Sequence, residues 1–191
     1  SNLSALDSRL KLYLLIVFLF TLGNSSNTFL LLRAKSAGFN DINVILLYFL
    51  YNITASLLAI PFGKLSDRIG RKNVLTVGYL TFSIVYFGFA FSTRQLSFVA
   101  IFILYGVFTA MTAGVERALI AEISPKELTG TMLGLHSTIT GIALLPASMI
   151  CGFLWNAFGT AVPFVFGAGM SLLAALLLII FFKNPGKKSA A

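Results

Sequence analysis

The sequence predicts an all-α membrane protein built as a bundle of six transmembrane helices, and three observations carry that prediction. Of 191 residues, 58% are hydrophobic and 10% are charged, against about 25% charged in soluble domains. The apolar residues gather into six stretches, each near the roughly 20 residues that a helix needs to cross a bilayer. The connections are short and polar, so neighbouring helices run antiparallel and no separate soluble domain remains. A mean hydropathy of +0.92 excludes a disordered or collagen-like chain. The single cysteine, Cys151, cannot form an internal disulfide.

The six spans are expected at Leu12–Leu32, Ile42–Phe62, Val74–Ser92, Ser97–Ile123, Thr131–Trp155 and Val162–Phe182. Residues 1–11 read as a polar lead, 12–182 as the bundle and 183–191 as a tail. The first span carries Asn24, Ser25, Ser26, Asn27 and Thr28 near its midpoint. Polar residues at that depth face protein or a water-filled cavity. The second span places Tyr48, Asn52 and Ser56 on one stripe, and the fourth places Tyr105, Thr109, Thr112 and Glu116 on another. Hydrogen-bonded glue between helices competes with a binding role for the asparagines, threonines and tyrosine. An acid at that depth, Glu116, is a functional candidate by default. Arg117 points about 100° away, towards the inner end of the bundle or a snorkelling position. In the fifth span Gly130, Gly134, Ser137, Gly141, Ser148 and Gly152 form a small-residue face that reads as a packing seam, and Pro146 is expected to bend the helix. The third and sixth spans have the fewest polar residues and are expected to face lipid.

Net charge is +8. The basic residues sit between apolar runs without a basic stripe, which argues for the positive-inside rule and against nucleic acid. Eleven of the 14 Lys and Arg fall on one side of the predicted spans. That side is expected to be cytoplasmic, with both termini on it. His136 is the sole histidine and no His/Cys cluster exists, so no metal or other cofactor is expected. No G-x-S-G, H-E-x-x-H or paired intramembrane aspartates support an enzyme. Glu116 and His136 lie at matching depths on consecutive spans, the geometry of a candidate proton-coupling pair. The competing reading is a permanent pairing of Glu116 with an arginine such as Arg117.

The most specific string is Gly63-Lys64-Leu65-Ser66-Asp67-Arg68-Ile69-Gly70-Arg71-Lys72, read as the connection between the second and third spans. Gly63 is expected to turn the chain where the helix ends, and Gly70 to allow positive φ. The string resembles the signature loop of the major facilitator superfamily, G-x-L-[AS]-D-R-x-G-R-[KR], at every fixed position. The resemblance covers the whole chain, through the Glu122-x-x-Pro125 boundary and the Gly-rich fifth span. It implies one six-helix half of a twelve-helix fold, itself a 3+3 inverted repeat. Transport of a small-molecule substrate would follow by alternating access, as symport or antiport.

The same resemblance implies that Asp67, Arg71 and Glu122 form a charge cluster holding the inner gate, supported by Gly63, Arg68 and Gly70. It implies that Asn24, Asn27, Asn52, Tyr105, Thr109 and Thr112 line the substrate cavity. The stretch Thr21–Ala34 looks like helix seven of bacterial members. The chain does not begin with Met and stops nine residues after Phe182. The expectation is therefore the carboxy-terminal half of a transporter of the bacterial inner membrane. Its partners would be the lipid bilayer and the amino-terminal half. The Gly141–Ile150 stretch has Leu145, Met149 and Ile150 where drug–proton antiporters carry glycines in the fifth helix of the first half, so this stretch gives antiport no support, and a second half is not expected to show that motif. A self-sufficient six-helix transporter or channel acting as a dimer, or a non-transporting assembly subunit, are the alternatives.

Overall fold

The apolar runs become helices because only internal backbone hydrogen bonding is available in hydrocarbon. The computed structural model describes residues 8–182, so most of the expected lead and the tail with Lys183, Lys187 and Lys188 lie outside the described residues. Seven α-helices are present: α1 (Ser8–Gly23), α2 (Asn27–Ser36), α3 (Asp41–Ile69), α4 (Arg71–Phe91), α5 (Gln95–Ile123), α6 (Thr129–Phe158) and α7 (Val162–Phe181). Together α1 and α2 make one span, and α3 to α7 make five more. The protein is an integral membrane protein by these six helices.

The first span differs from the expected continuous helix. It breaks at Asn24–Ser26. Ser26 caps α2 by accepting the Thr28 amide, a hydrogen bond that competes with helix continuation. Gly23 lies so close to α7 that a Cβ would stand 2.6 Å from Met170 Cβ and 3.0 Å from the Gly167 carbonyl oxygen. The second span also differs. Helix α3 runs through Gly63 to Ile69, so most of the signature string is helix rather than loop. A Cβ at Gly63 would meet nothing within 4 Å. The turn belongs to Gly70 alone, at φ +96°. Ser8–Lys11, expected in the lead, are helical.

At the centre stands α4, packed against α5 and α7. Aromatic side chains fill the space around it. Phe20 stacks on Tyr79 at 4.2 Å, and Phe82 meets Tyr86 and Phe108. Phe89 packs against Phe102 and Phe164. The outward stripes of α4 (Val77, Leu80, Ile84, Phe87, Phe91) and α7 (Leu172, Leu176, Ile179, Ile180) are apolar and exposed. The least enclosed spans are α3 and α6. Among the described residues the small-residue face of α6 makes no seam at Gly130, Gly134 or Gly141, where a Cβ would meet nothing within 4 Å, and only at Gly152 would a Cβ come near another helix, 3.8 Å from Phe29. Pro146 sits inside α6 without ending it.

Candidate functional site

At the end of the bundle where α3 meets α4, Gly70 reverses the chain and sets Arg71 in the first turn of α4. From there the guanidinium reaches two helices. Its Nη1 donates to Glu122 Oε2 at 2.9 Å and to the Ala118 carbonyl at 2.8 Å on α5. Its Nη2 donates to Asp67 Oδ1 at 3.2 Å on α3. Three helices are thereby tied by one residue. Arg68 points outward and is exposed. Next to the cluster, Lys72 donates to the Ile179 carbonyl in the last turn of α7, where the helix dipole favours a cation. Behind the cluster, α3 and α5 enclose a groove of about 450 Å³. Its walls are small (Ala55, Ser56, Ala59, Gly63, Ala113, Gly114), and Thr109, Asp67 and Arg71 also line it.

Higher in the bundle, at the start of α2, Asn27 bridges two tyrosines. It accepts from Tyr105 Oη at 2.7 Å and donates to Tyr51 Oη at 3.3 Å. The ring of Tyr51 lies 5.1 Å from Tyr105 and 5.2 Å from Tyr48. Asn52 stays apart, its amide donating to the Tyr48 carbonyl of its own helix.

A third group surrounds Glu116, whose side chain is only 15% exposed. Tyr79 of α4 donates its hydroxyl to Glu116 Oε1 at 3.0 Å. His136 Nε2 of α6 faces Glu116 Oε2 at 3.6 Å, just beyond hydrogen-bond reach, and has no other partner in the structure. The hydroxyl of Tyr13 lies in the same field. Glu116 therefore meets a phenol and an imidazole, not Arg117. A cavity of about 330 Å³ opens beside it, lined also by Asn24, Ser137 and Thr140.

The four residues of the α5 stripe do not share one cavity. Tyr105 meets Asn27, Thr109 lines the α3–α5 groove, and Glu116 faces α6. Thr112 is 5% exposed, with its hydroxyl bonded to the Phe108 carbonyl. Its methyl group occupies the space that a Cβ on Gly78 would need. From Tyr105 to Glu116 the stripe covers twelve residues, about 17 Å of helix. Different helices cross it at different heights, so a single sequence face meets four environments.

The Major Facilitator Superfamily model matches residues 13–191. The chain belongs to this superfamily. An uncharacterised MFS-type transporter of Methanocaldococcus jannaschii is 41% identical over 91% of the chain and 45% of its own length. The multi-drug resistance efflux pump PmrA of Streptococcus pneumoniae is 34% identical over 69% of the chain and 33% of its own length. The quinolone resistance protein NorA of Staphylococcus aureus is 29% identical over 69% of the chain and 34% of its own length. The chain thus spans less than half the length of these relatives.

Three residues of this Major Facilitator chain that meet the site or tie its helices escape a reading of the sequence alone. Tyr79 and Tyr51 sit in apolar runs, where the available signal is only that a buried phenol needs a partner. Arg33 counts in sequence as one of three cations on the sparse side. In the structure it is buried, and Nε donates to the Phe89 carbonyl at 2.8 Å and Nη2 to the Ser92 carbonyl at 3.1 Å. It caps the end of α4 while its guanidinium carbon stands 5.7 Å from the Phe98 ring centroid.

Proposed function

We propose that this chain is the carboxy-terminal six-helix half of a secondary active transporter. It moves a small organic solute by alternating access against an amino-terminal half, with the Arg71 end cytoplasmic. The observation that carries the reading is the three-helix tie made by Arg71 to Asp67, Glu122 and the Ala118 carbonyl at the mouth of a groove. A tie of exposed ion pairs is weak enough to open and close, because such pairs are worth about 0–1 kcal/mol each. The uncovered faces of α3 and α6 supply a surface for a second bundle. Two relatives are named for drug resistance, which supports a small organic solute as cargo.

Glu116 and His136 form the proton-linked pair of this reading. They sit about 10 Å in from the helix ends and lie 3.6 Å apart, with Glu116 bordering one cavity and His136 another. The full-length protein in proteoliposomes tests the assignment, with a solute shown to be transported. Glu116→Gln should abolish uphill movement driven by a pH gradient while leaving downhill exchange. Uphill transport that survives unchanged would remove Glu116 from the coupling site.

A further inference from the structure

Arg117 is a cation without an assigned counter-charge. It lies six residues from the end of α5, about 9 Å into the helix. Its side chain is exposed on the surface of the bundle, and a cation at such depth is satisfied by a partner, by a water-filled cavity or by snorkelling to the interface. Among the described residues its guanidinium makes no hydrogen bond or ion pair. The acids among the described residues that could serve are engaged elsewhere: Asp41 with Lys35, Asp67 and Glu122 with Arg71, and Glu116 with Tyr79 and His136. Glu127 lies beyond the helix, in the 3₁₀ turn Lys126–Leu128.

The guanidinium has a place to bind something. Arg117, Leu133, Gly134, His136 and Ser137 line a cavity of about 280 Å³ between α5 and α6. Ser137 also lines the cavity beside Glu116, so the two spaces flank that residue. One wall therefore offers a guanidinium, the Ser137 hydroxyl being turned to the Leu133 carbonyl of its own helix at 3.0 Å, and the neighbouring space adds the apolar side chains of Val17, Phe20 and Leu144. A planar guanidinium matches a carboxylate or phosphate through two parallel hydrogen bonds.

We propose that Arg117 is the anion-recognition residue of the cargo site, and that the cargo is a small organic anion with an apolar body. This rests on the transport reading and names the class of solute carried. The acidic group pairs with Arg117, and the apolar body lies towards α1. His136 stands at the boundary, lining the anion's space with one part of its ring and facing Glu116 with Nε2. An anion in this cleft thus sits beside the proposed proton site without occupying it. A phospholipid headgroup carries the same chemistry, and the experiment separates the two sources.

The test is ligand-dependent thermal unfolding of the full-length protein in neutral detergent. Benzoate is the probe, its neutral isostere benzamide the control, and phosphatidylglycerol the lipid arm. Benzoate at ten times its dissociation constant should raise the midpoint by roughly 2–4 °C, and benzamide should not. Arg117→Gln should lose the shift and Arg117→Lys should keep part of it, each with an unliganded midpoint near that of the wild type. If Arg117→Gln unfolds early, the retained shift in Arg117→Lys and the benzoate-over-benzamide preference of the wild type decide. No benzoate shift, an equal shift with benzamide, or an undiminished shift in Arg117→Gln overturns the proposal. A shift that depends on Arg117 with phosphatidylglycerol alone also overturns it, in favour of a lipid site. Binding is read at equilibrium without a gradient. Failure here therefore leaves the Glu116→Gln transport result standing, and failure of that result leaves this one readable.

Discussion

Two arginines hold opposite ends of the bundle, and they do so by different physics. Arg71 is partly exposed and bonds two carboxylates, one of them 65% exposed. Arg33 is buried and bonds only neutral acceptors, the carbonyls at the end of α4 and the Ser36 hydroxyl. The first tie is two ion pairs in a screened setting beside one hydrogen bond to the Ala118 carbonyl, so either ion pair can be broken at small cost. The second satisfies backbone oxygens that have no helical partner and little water, so breaking it leaves buried acceptors unpaired. One end can act as a latch, and the other is part of the scaffold.

The comparison is broken most severely by Arg33→Leu. It should destabilise the protein by about 2–4 kcal/mol, the cost of leaving at least two buried carbonyls unpaired, read as lost folded yield and a lowered midpoint in detergent unfolding. Arg71→Gln comes next. Stability should fall by about 1 kcal/mol or less, while solute transport in proteoliposomes falls much further, because three helices lose their common tie. Asp67→Asn should leave insertion and folding intact, with a stability change of a few tenths of a kcal/mol after allowance for its exposure, and reduce transport. Asp41→Asn removes the exposed Lys35–Asp41 pair and should change stability by no more than about 0.5 kcal/mol. A loss for Asp67→Asn as large as for Arg33→Leu would mean that both ends are scaffold.

The six spans were legible because hydrocarbon demands about 20 apolar residues and closed backbone hydrogen bonding, and both demands are written locally. The break in the first span was not. Nothing in the run from Leu12 to Leu32 forces it except the polar residues 24–28, and its position depends on how closely Gly23 approaches α7. The continuation of α3 through Gly63 was hidden by a polar, glycine-bearing string that reads as a loop. In the structure only Gly70 turns. Depth placed Glu116 and His136 at one height, but whether their faces met depended on the packing of α5 against α6. Thr112 shows the opposite case: its spacing put it on a polar stripe, and Gly78 on another helix drew it into the packed interior. Arg33 was counted as a charge, and its carbonyl partners 56 or more residues away had no local signature.

The interruption at Asn24–Ser26 gives the first span the mechanics of two jointed rods. Helix α1 is about 24 Å long and α2 about 15 Å. In an unbroken helix, bending strains every hydrogen bond along the curve. Here compliance is concentrated at Asn24–Ser26, where the helix is interrupted. A 10° tilt of α2 about that joint would sweep its far end by about 2.6 Å without disturbing α1 against α6 and α7. The sweeping rod carries Asn27 at its pivot and Arg33 near its tip, so the aromatic bridge to Tyr105 would rotate nearly in place. The tip would pull on the end of α4. Lever and fulcrum are thus supplied by one span, with stiffness set by the carbonyl cap at the tip.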